Sequence, residues 1–200
     1  MIDYCEIDGR IIRTGRVTLR PWTDGDVHDA LSIYGSPAVA HWLEPEMSIV
    51  ISVARMEELL TEWIVSSDDD VTPVGRWAIT LPAPHPGREV IGGISVLPFG
   101  AGARELQMGC QLQPTWWGRG LASEAGHALA HYAFACGAPE LFAVVRPHNR
   151  RAAALARRVG MEWVGVTDKY HQRELQVYRL VQADLDFPPR GVRITPPRDA

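Results

Sequence analysis

Cysteine is scarce in this chain and never clustered. Its 200 residues include only Cys5, Cys110 and Cys136, with no C-x-x-C pair and no histidine at zinc-ligand spacing. That excludes a disulfide scaffold and a structural zinc site; no metal is expected, and scattered reduced thiols point to a cytoplasmic home. Long apolar runs are missing as well. No stretch approaches the roughly 18 apolar residues of a membrane span, so no membrane partner is expected. The first twenty residues, MIDYCEIDGRIIRTGRVTLR, alternate charged and apolar side chains and lack the apolar centre of a secretory leader. Positive charge is not in excess either. A net charge of −4 offers no basic surface to displace counterions, so no nucleic acid is expected as a partner. What is present is ordinary for a soluble domain, with 46% hydrophobic and 22% charged residues. The length suits one domain with a real core.

Periodicity sets out the elements. RVTLR at 16–20 alternates and stops at Pro21, which predicts a strand. TDGD at 23–26 opens a helix, with Asp24 as N-cap before Val27, Ala30, Leu31 and Tyr34. Helical spacing returns over 48–64, where Val53, Met56, Leu59, Leu60 and Trp63 share a face. SSDDD at 66–70 reads as a solvated turn. Strands are predicted over 75–81 and 89–97, joined by a PAPHPGR hairpin loop. Another runs over 105–112, where Gly109 signals a bulge or a close backbone approach. Helices over 122–137 and 150–159, the second stopped by Gly160, flank a short strand at 141–145. Strands over 161–166 and 174–181 enclose the polar loop TDKYHQR. The proline-rich tail, 188–200, is expected to be flexible. Trp22, Trp42, Trp63, Trp77 and Trp163 are expected in the core or a pocket wall. The succession predicts a single α/β (α+β) domain over 1–187, a mixed sheet of about seven strands flanked by about four helices.

The most informative stretch is PTWWGRGLASEA, Pro114–Ala125. Gly118, Gly120 and Ala122 leave the backbone bare at the mouth of a helix. Bare N–H groups converge on an anion there, and the helix field adds to the attraction. A diphosphate is the natural ligand; a tight strand-to-helix connection without one is the alternative. A Walker-type loop needs Gly-Lys-Ser/Thr, which is absent. A dinucleotide fingerprint fails too, because Ser123 replaces its third glycine and the next strand ends in Arg146 rather than an acid.

WWGRGLASEA, followed after a strand by RPHNRRAAALARRVGMEWVG, resembles the Gcn5-related N-acetyltransferases (GNAT). Within them the likeness is greatest to the branch that acetylates N-terminal α-amines of ribosomal proteins. GRVTLRPWTDGDVHDALSIYGSP near the start and DKYHQRELQVYRLVQADL near the end are similar to that branch, so the resemblance spans roughly Arg16 to Leu185. It implies a sheet splayed around acetyl-CoA as co-substrate. The pyrophosphate would lie on the amides of Trp117, Gly118, Arg119, Gly120, Leu121 and Ala122, with the Ser123 hydroxyl close by. The pantetheine arm would follow the strand ending at Gln111, Leu112 and Gln113, since an amide-rich arm wants a free strand edge. Asn149 would contact the arm or the thiol region. Three positions depart from the pattern: Trp117 stands where Gln or Arg is usual, Ala152 where the branch often has serine, and Ala156 where many relatives carry a tyrosine that protonates the leaving thiolate.

Acyl transfer requires a neutral amine. Near neutral pH an α-amine of pKa about 8 is roughly one-tenth neutral, whereas lysine at about 10.4 is near one part in a thousand. A chain poor in obvious acid–base pairs suits the easier acceptor. Glu105 is the candidate base, relaying a proton through water. Tyr170 and His171 are candidates for contact with the acceptor. A main-chain N–H between Cys110 and Gln113 is the candidate oxyanion donor. Cys110, lacking a neighbouring base, reads as a packed thiol rather than an acyl carrier. Arg119, Arg150 and Arg151 are candidates for a 3′-phosphate, Trp116 for the acceptor groove, and Glu124 for a first-turn acid in the helix field. The leading function is an acetyl-CoA-dependent N-acetyltransferase for a primary amine, a protein N-terminus ahead of an aminoglycoside or polyamine. A CoA-binding sensor without the reaction and a nucleotide-binding module are the alternatives. A homodimer is left open.

Overall fold

The computed structural model describes residues 5–43, 47–66, 73–82, 90–99, 103–168, 174–185 and 193–195. Alternation builds the first strands, β1 (Cys5–Asp8), β2 (Ile11–Thr14) and β3 (Thr18–Pro21), with Cys5, Ile7, Ile12 and Leu19 turned inward. They continue into β4 (Gly75–Thr80), β5 (Val90–Pro98) and β6 (Leu106–Leu112), then β7 (Glu140–Val145), β8 (Glu162–Thr167), β9 (Leu175–Val181) and β10 (Arg193–Thr195). All ten join one mixed sheet in the order β10-β1-β2-β3-β4-β5-β6-β7-β9-β8. Only the β1–β10 and β6–β7 neighbours are parallel.

Helices cover both faces. On one side α1 (Val27–Tyr34), α2 (Pro37–Leu43) and α3 (Val53–Val65) pack with Ala78 and Val90. On the other, α4 (Leu121–Ala135) and α5 (Arg150–Val159) pack with Trp77, Ile79 and Ile91. Strand β4 therefore alternates between two cores and is buried along nearly its whole length.

The expected count of about seven strands and four helices is exceeded by β1, β2, β10 and α2. Strands β1 and β2 are four residues each, and no proline closes them as Pro21 closes the equally short β3. α2 has seven residues and opens on Pro37, whose fixed φ suits a first helical position. β10 lies inside the segment expected to be a flexible tail, with Ile194 in register with Ile7. Gly109 makes no bulge; it stays in register opposite Ser95, and a Cβ there would approach the Ser95 hydroxyl to 3.3 Å. Trp22, Trp63 and Trp77 are buried, but Trp163 is 55% exposed. It sits on β8, an edge strand paired on one side only, so the sheet brings nothing over it. Most of SSDDD, all of the PAPHPGR loop after Pro82, and 169–173 with Tyr170 and His171 fall outside the described residues.

Candidate functional site

The sheet opens at its centre. β6 pairs with β5 from Leu106 to Leu112, and β7 pairs with β9 from Glu140 to Val145. Between β6 and β7 the only registered pair is Gln107 with Phe142. Beyond it the ladder stops, and the facing edges of Met108–Leu112 and Ala143–Val145 have no strand partner. The closed end of this wedge is packed by Phe99 and Phe142, whose rings meet edge-on at 5.9 Å.

At the open end the chain turns into α4. Gln113 is pinned by its N–H to the Ile91 carbonyl at 2.9 Å and by its side-chain amide, which donates to the Ser32 hydroxyl. Trp117 donates its indole N–H to the Leu112 carbonyl at 2.8 Å. Gly118 and Gly120 both have φ of +76°, a left-handed backbone that glycine adopts without cost. A Cβ at Gly118 would touch nothing within 4 Å and one at Gly120 only the Arg16 guanidinium, at 3.5 Å and beyond. Conformation, not crowding, therefore selects glycine. Gly120 is also the N-cap of α4 and supplies no side-chain acceptor. The N–H groups of Leu121, Ala122 and Ser123 consequently start the helix without a cap, at its positive end.

Beneath this loop lies Glu124, buried on the first turn of α4. Its carboxylate accepts from the Thr14 hydroxyl at 2.6 Å, the Arg16 N–H at 2.9 Å and Arg16 Nε at 2.5 Å. Arg16 in turn donates to the Arg119 carbonyl at 3.0 Å. Glu124 is thus a brace for the loop. Above it, the Arg119 guanidinium stands 4.6 Å from the Trp116 ring centre and that of Arg151 4.4 Å from Trp117. Arg119, Arg150 and Arg151 are all exposed around the loop.

Asn149 caps α5, its Oδ1 accepting from the Ala152 N–H at 3.1 Å. The amide NH2 remains to donate, and the residue lines an open cleft with His148, Arg150, Ala153, Arg157 and Gln176. The Arg151–Trp117 stack places this first turn of α5 beside the glycine loop. Ala156 is buried, so a core methyl stands at that position of α5 and offers no proton donor.

The fold therefore gathers Gln111–Gln113, Trp117–Ser123 and Asn149 around the open end. Glu105 is not among them. It is exposed, precedes β6, and its carbonyl accepts from Phe99 N–H at 3.1 Å; at about 3.3 Å per residue it lies roughly 20 Å along the strand from Gln111. Gln107, not Glu105, meets β7. Cys110 is half-buried, and desolvation pushes its thiol up to about 12, so it stays protonated.

The sequence reading missed the polar lining under α1 and α3. Tyr34 lies on the apolar face of α1, yet its hydroxyl contacts the Gln111 amide oxygen at 3.4 Å. A Cβ at Gly93 would fall 2.2 Å from that hydroxyl. Burial raises the Tyr34 phenol well above its ordinary value. Only the glycine pair GG at 92–93 hints at such close approach.

Residues 16–162 match the family model of the acetyltransferase (GNAT) domain. The chain belongs to this family and is an acetyl-CoA-dependent N-acetyltransferase. An acetyltransferase from Agrobacterium tumefaciens is similar at 27% identity and a TM-score of 0.70, over 86% of this chain and 94% of that one. A Vibrio cholerae protein provisionally named a ribosomal-protein-serine acetyltransferase aligns at 18% identity and a TM-score of 0.68, over 86% and 97%. AAC(6′)-Ib, in complex with ribostamycin and coenzyme A, aligns at 15% identity and 0.67, over 86% and 96%. The last two likenesses speak for the fold. Among the described residues no helix is long and apolar enough to cross a membrane, and no cluster could hold a metal ion.

Proposed function

We propose that the chain acetylates the α-amine of a peptide or protein N-terminus, in preference to a polyamine or aminoglycoside. The carrying observation is that, among the described residues, its wedge offers no buried base. Tyr34 and Cys110, the titratable side chains beside it, are both held protonated by burial. Neither accepts a proton from an ammonium ion near neutral pH. Proton removal is left to water. That favours an acceptor whose ammonium is weak: deprotonation near neutral pH costs about 1 kcal/mol for an α-amine against about 4 for lysine. The provisional name of the Vibrio neighbour supports the same acceptor class.

The residues at the open end fit acetyl-CoA. The uncapped amides of Gly118–Ala122 and the Ser123 hydroxyl would take the pyrophosphate, because they converge at a positive helix end with no side chain in the way; the Trp117 N–H already donates to the Pro114 carbonyl. Arg119, Arg150 and Arg151 would meet the 3′-phosphate. The Leu112 N–H, on the open edge of β6, and the Asn149 NH2 would pair with the pantetheine amides. The bound co-substrate supplies an activated acetyl thioester. The chain contributes position, and a main-chain N–H between Cys110 and Gln113 polarises the acyl carbonyl.

Incubation with acetyl-CoA and separate pools of peptides, polyamines and aminoglycosides, read as free thiol, tests this. Peptide-dependent thiol release is expected to exceed that with the other pools. Release with polyamines or aminoglycosides alone would reject the N-terminal reading; CoA binding with no turnover in any pool would favour a sensor.

A further inference from the structure

The wall of the wedge under α1 and α3 bears on what the acceptor carries besides its amine. Strand register puts Arg76, Ser95 and Gly109 in one row across β4, β5 and β6, and Ala78, Gly93 and Gln111 in the next row on the same face. Ala78 packs into the helical core there and Tyr34 lies over Gly93, which fixes the direction of this face. At Gly109 the missing side chain leaves a hollow. A Cβ there would stand 3.3 Å from the Ser95 hydroxyl and 3.6 Å from the Gln111 amide nitrogen. Ser95 is the one residue between Val90 and Val96 that is not buried. The sheet is therefore open at this spot and floored by polar groups.

Arg76 closes the row. Its guanidinium stands 5.3 Å from the Trp63 ring centre and makes no hydrogen bond or ion pair among the described residues. Among the described residues the charges near it are few. Tyr34 is protonated, and the exposed Glu62 carboxylate acts on it through space without pairing. Desolvation lowers the Arg76 pKa from its ordinary value, yet a guanidinium remains charged at any neutral pH. A half-buried cation with unspent donors is costly until an anion meets it. Two strand spacings of about 4.8 Å put the Arg76 and Gly109 backbones about 10 Å apart, a span that the arginine and a short acidic side chain fill between them.

Resting on the acceptor reading above, we propose that Arg76 is a specificity-determining residue that binds a carboxylate on the amine acceptor. The carboxylate lies over Gly109, takes the guanidinium as its main partner, and has the Ser95 hydroxyl and Gln111 amide as further donors. The acceptor class is an α-amine with an acidic group on its first or second residue. Polyamines are repelled at the same place.

The test uses the full chain preloaded with coenzyme A and matched peptide amides, Glu-Ala against Gln-Ala and Ala-Glu against Ala-Gln. Binding is read by calorimetry and acetyl transfer by thiol release in parallel. The wild-type protein should bind one acidic peptide about tenfold or more tightly than its neutral match, as a charge-assisted fork requires. In Arg76→Gln that ratio should fall to about one, and Arg76→Lys, which keeps the charge but not the fork, should lie between. Arg76→Met, which still covers Trp63, should behave as Arg76→Gln and separates charge from packing. A wild-type ratio near one, binding of neither acidic peptide, or a preference kept in Arg76→Gln would overturn the assignment. Binding is read without turnover, so absent thiol release counts against the transferase reading alone.

Discussion

Arg16 and Glu124, 108 positions apart, face each other at 2.5 Å and carry the glycine loop between them. One end of the pair is buried and the other half in solvent. The buried carboxylate has three donors aimed at it, and the same arginine reaches on to the Arg119 carbonyl. The anion cradle at the start of α4 is thus held from below by the turn between β2 and β3.

Removing the brace should therefore cost both stability and affinity. Glu124→Ala removes the charged acceptor shared by the Thr14 hydroxyl, the Arg16 amide and Arg16 Nε, leaving the hydroxyl only the Val17 carbonyl. Loss of hydrogen bonds to a charged group costs about 1.5–3 kcal/mol, and the exposure of Arg16 keeps the effect toward the lower end. A thermal melt should show a midpoint several degrees lower, and CoA titration a weaker Kd. An unaltered melt would contradict the bracing role.

Gly120 tests the cradle itself. With φ at +76°, any L-residue costs about 1–2 kcal/mol there, and a branched one also crowds the amides. Gly120→Val should raise the CoA Kd more than about tenfold, since each factor of ten is only 1.4 kcal/mol. Its far-UV circular dichroism should match wild type. Normal CoA binding by this variant would misplace the cofactor.

Glu105 is separable from the cradle by distance. If its carboxylate relays the acceptor's proton, Glu105→Gln should slow turnover and move the pH optimum upward while CoA affinity holds. A pH–rate profile identical to wild type would dismiss it as the base.

The chain should also lose stability in mild acid. His131 lies on α4 with its Nε2 buried and without a hydrogen-bond partner, 4.8 Å from the His127 ring. Burial, with His127 second, lowers its pKa from 6.5 to about 4. The unfolded chain binds a proton near pH 6.5 that the folded chain refuses until about pH 4. Stability is then complete above about pH 6.5 and declines as pH falls through that window, by at most about 1.4 kcal/mol per unit. Urea melts at pH 7 and pH 5 should show the decline, and His131→Gln should flatten it.

Local chemistry was enough to read much of this protein. Strand and helix periods placed β3 to β9 and four helices within a few residues, because each period repeats within its own segment. The bare glycines before α4, the Asn149 cap and the Gly160 stop are likewise written in neighbouring residues, where backbone conformation is chosen. What the sequence could not fix was anything set by register between distant segments. Ile194 beside Ile7, Gln107 rather than Glu105 at the closed end of the wedge, and Arg76 in one row with Ser95 and Gly109 all depend on how strands slide past one another. A shift of one residue would turn the Gln107, Arg76 and Ser95 side chains to the opposite face. That choice is made by packing two cores against one sheet, and no stretch of the chain carries it alone.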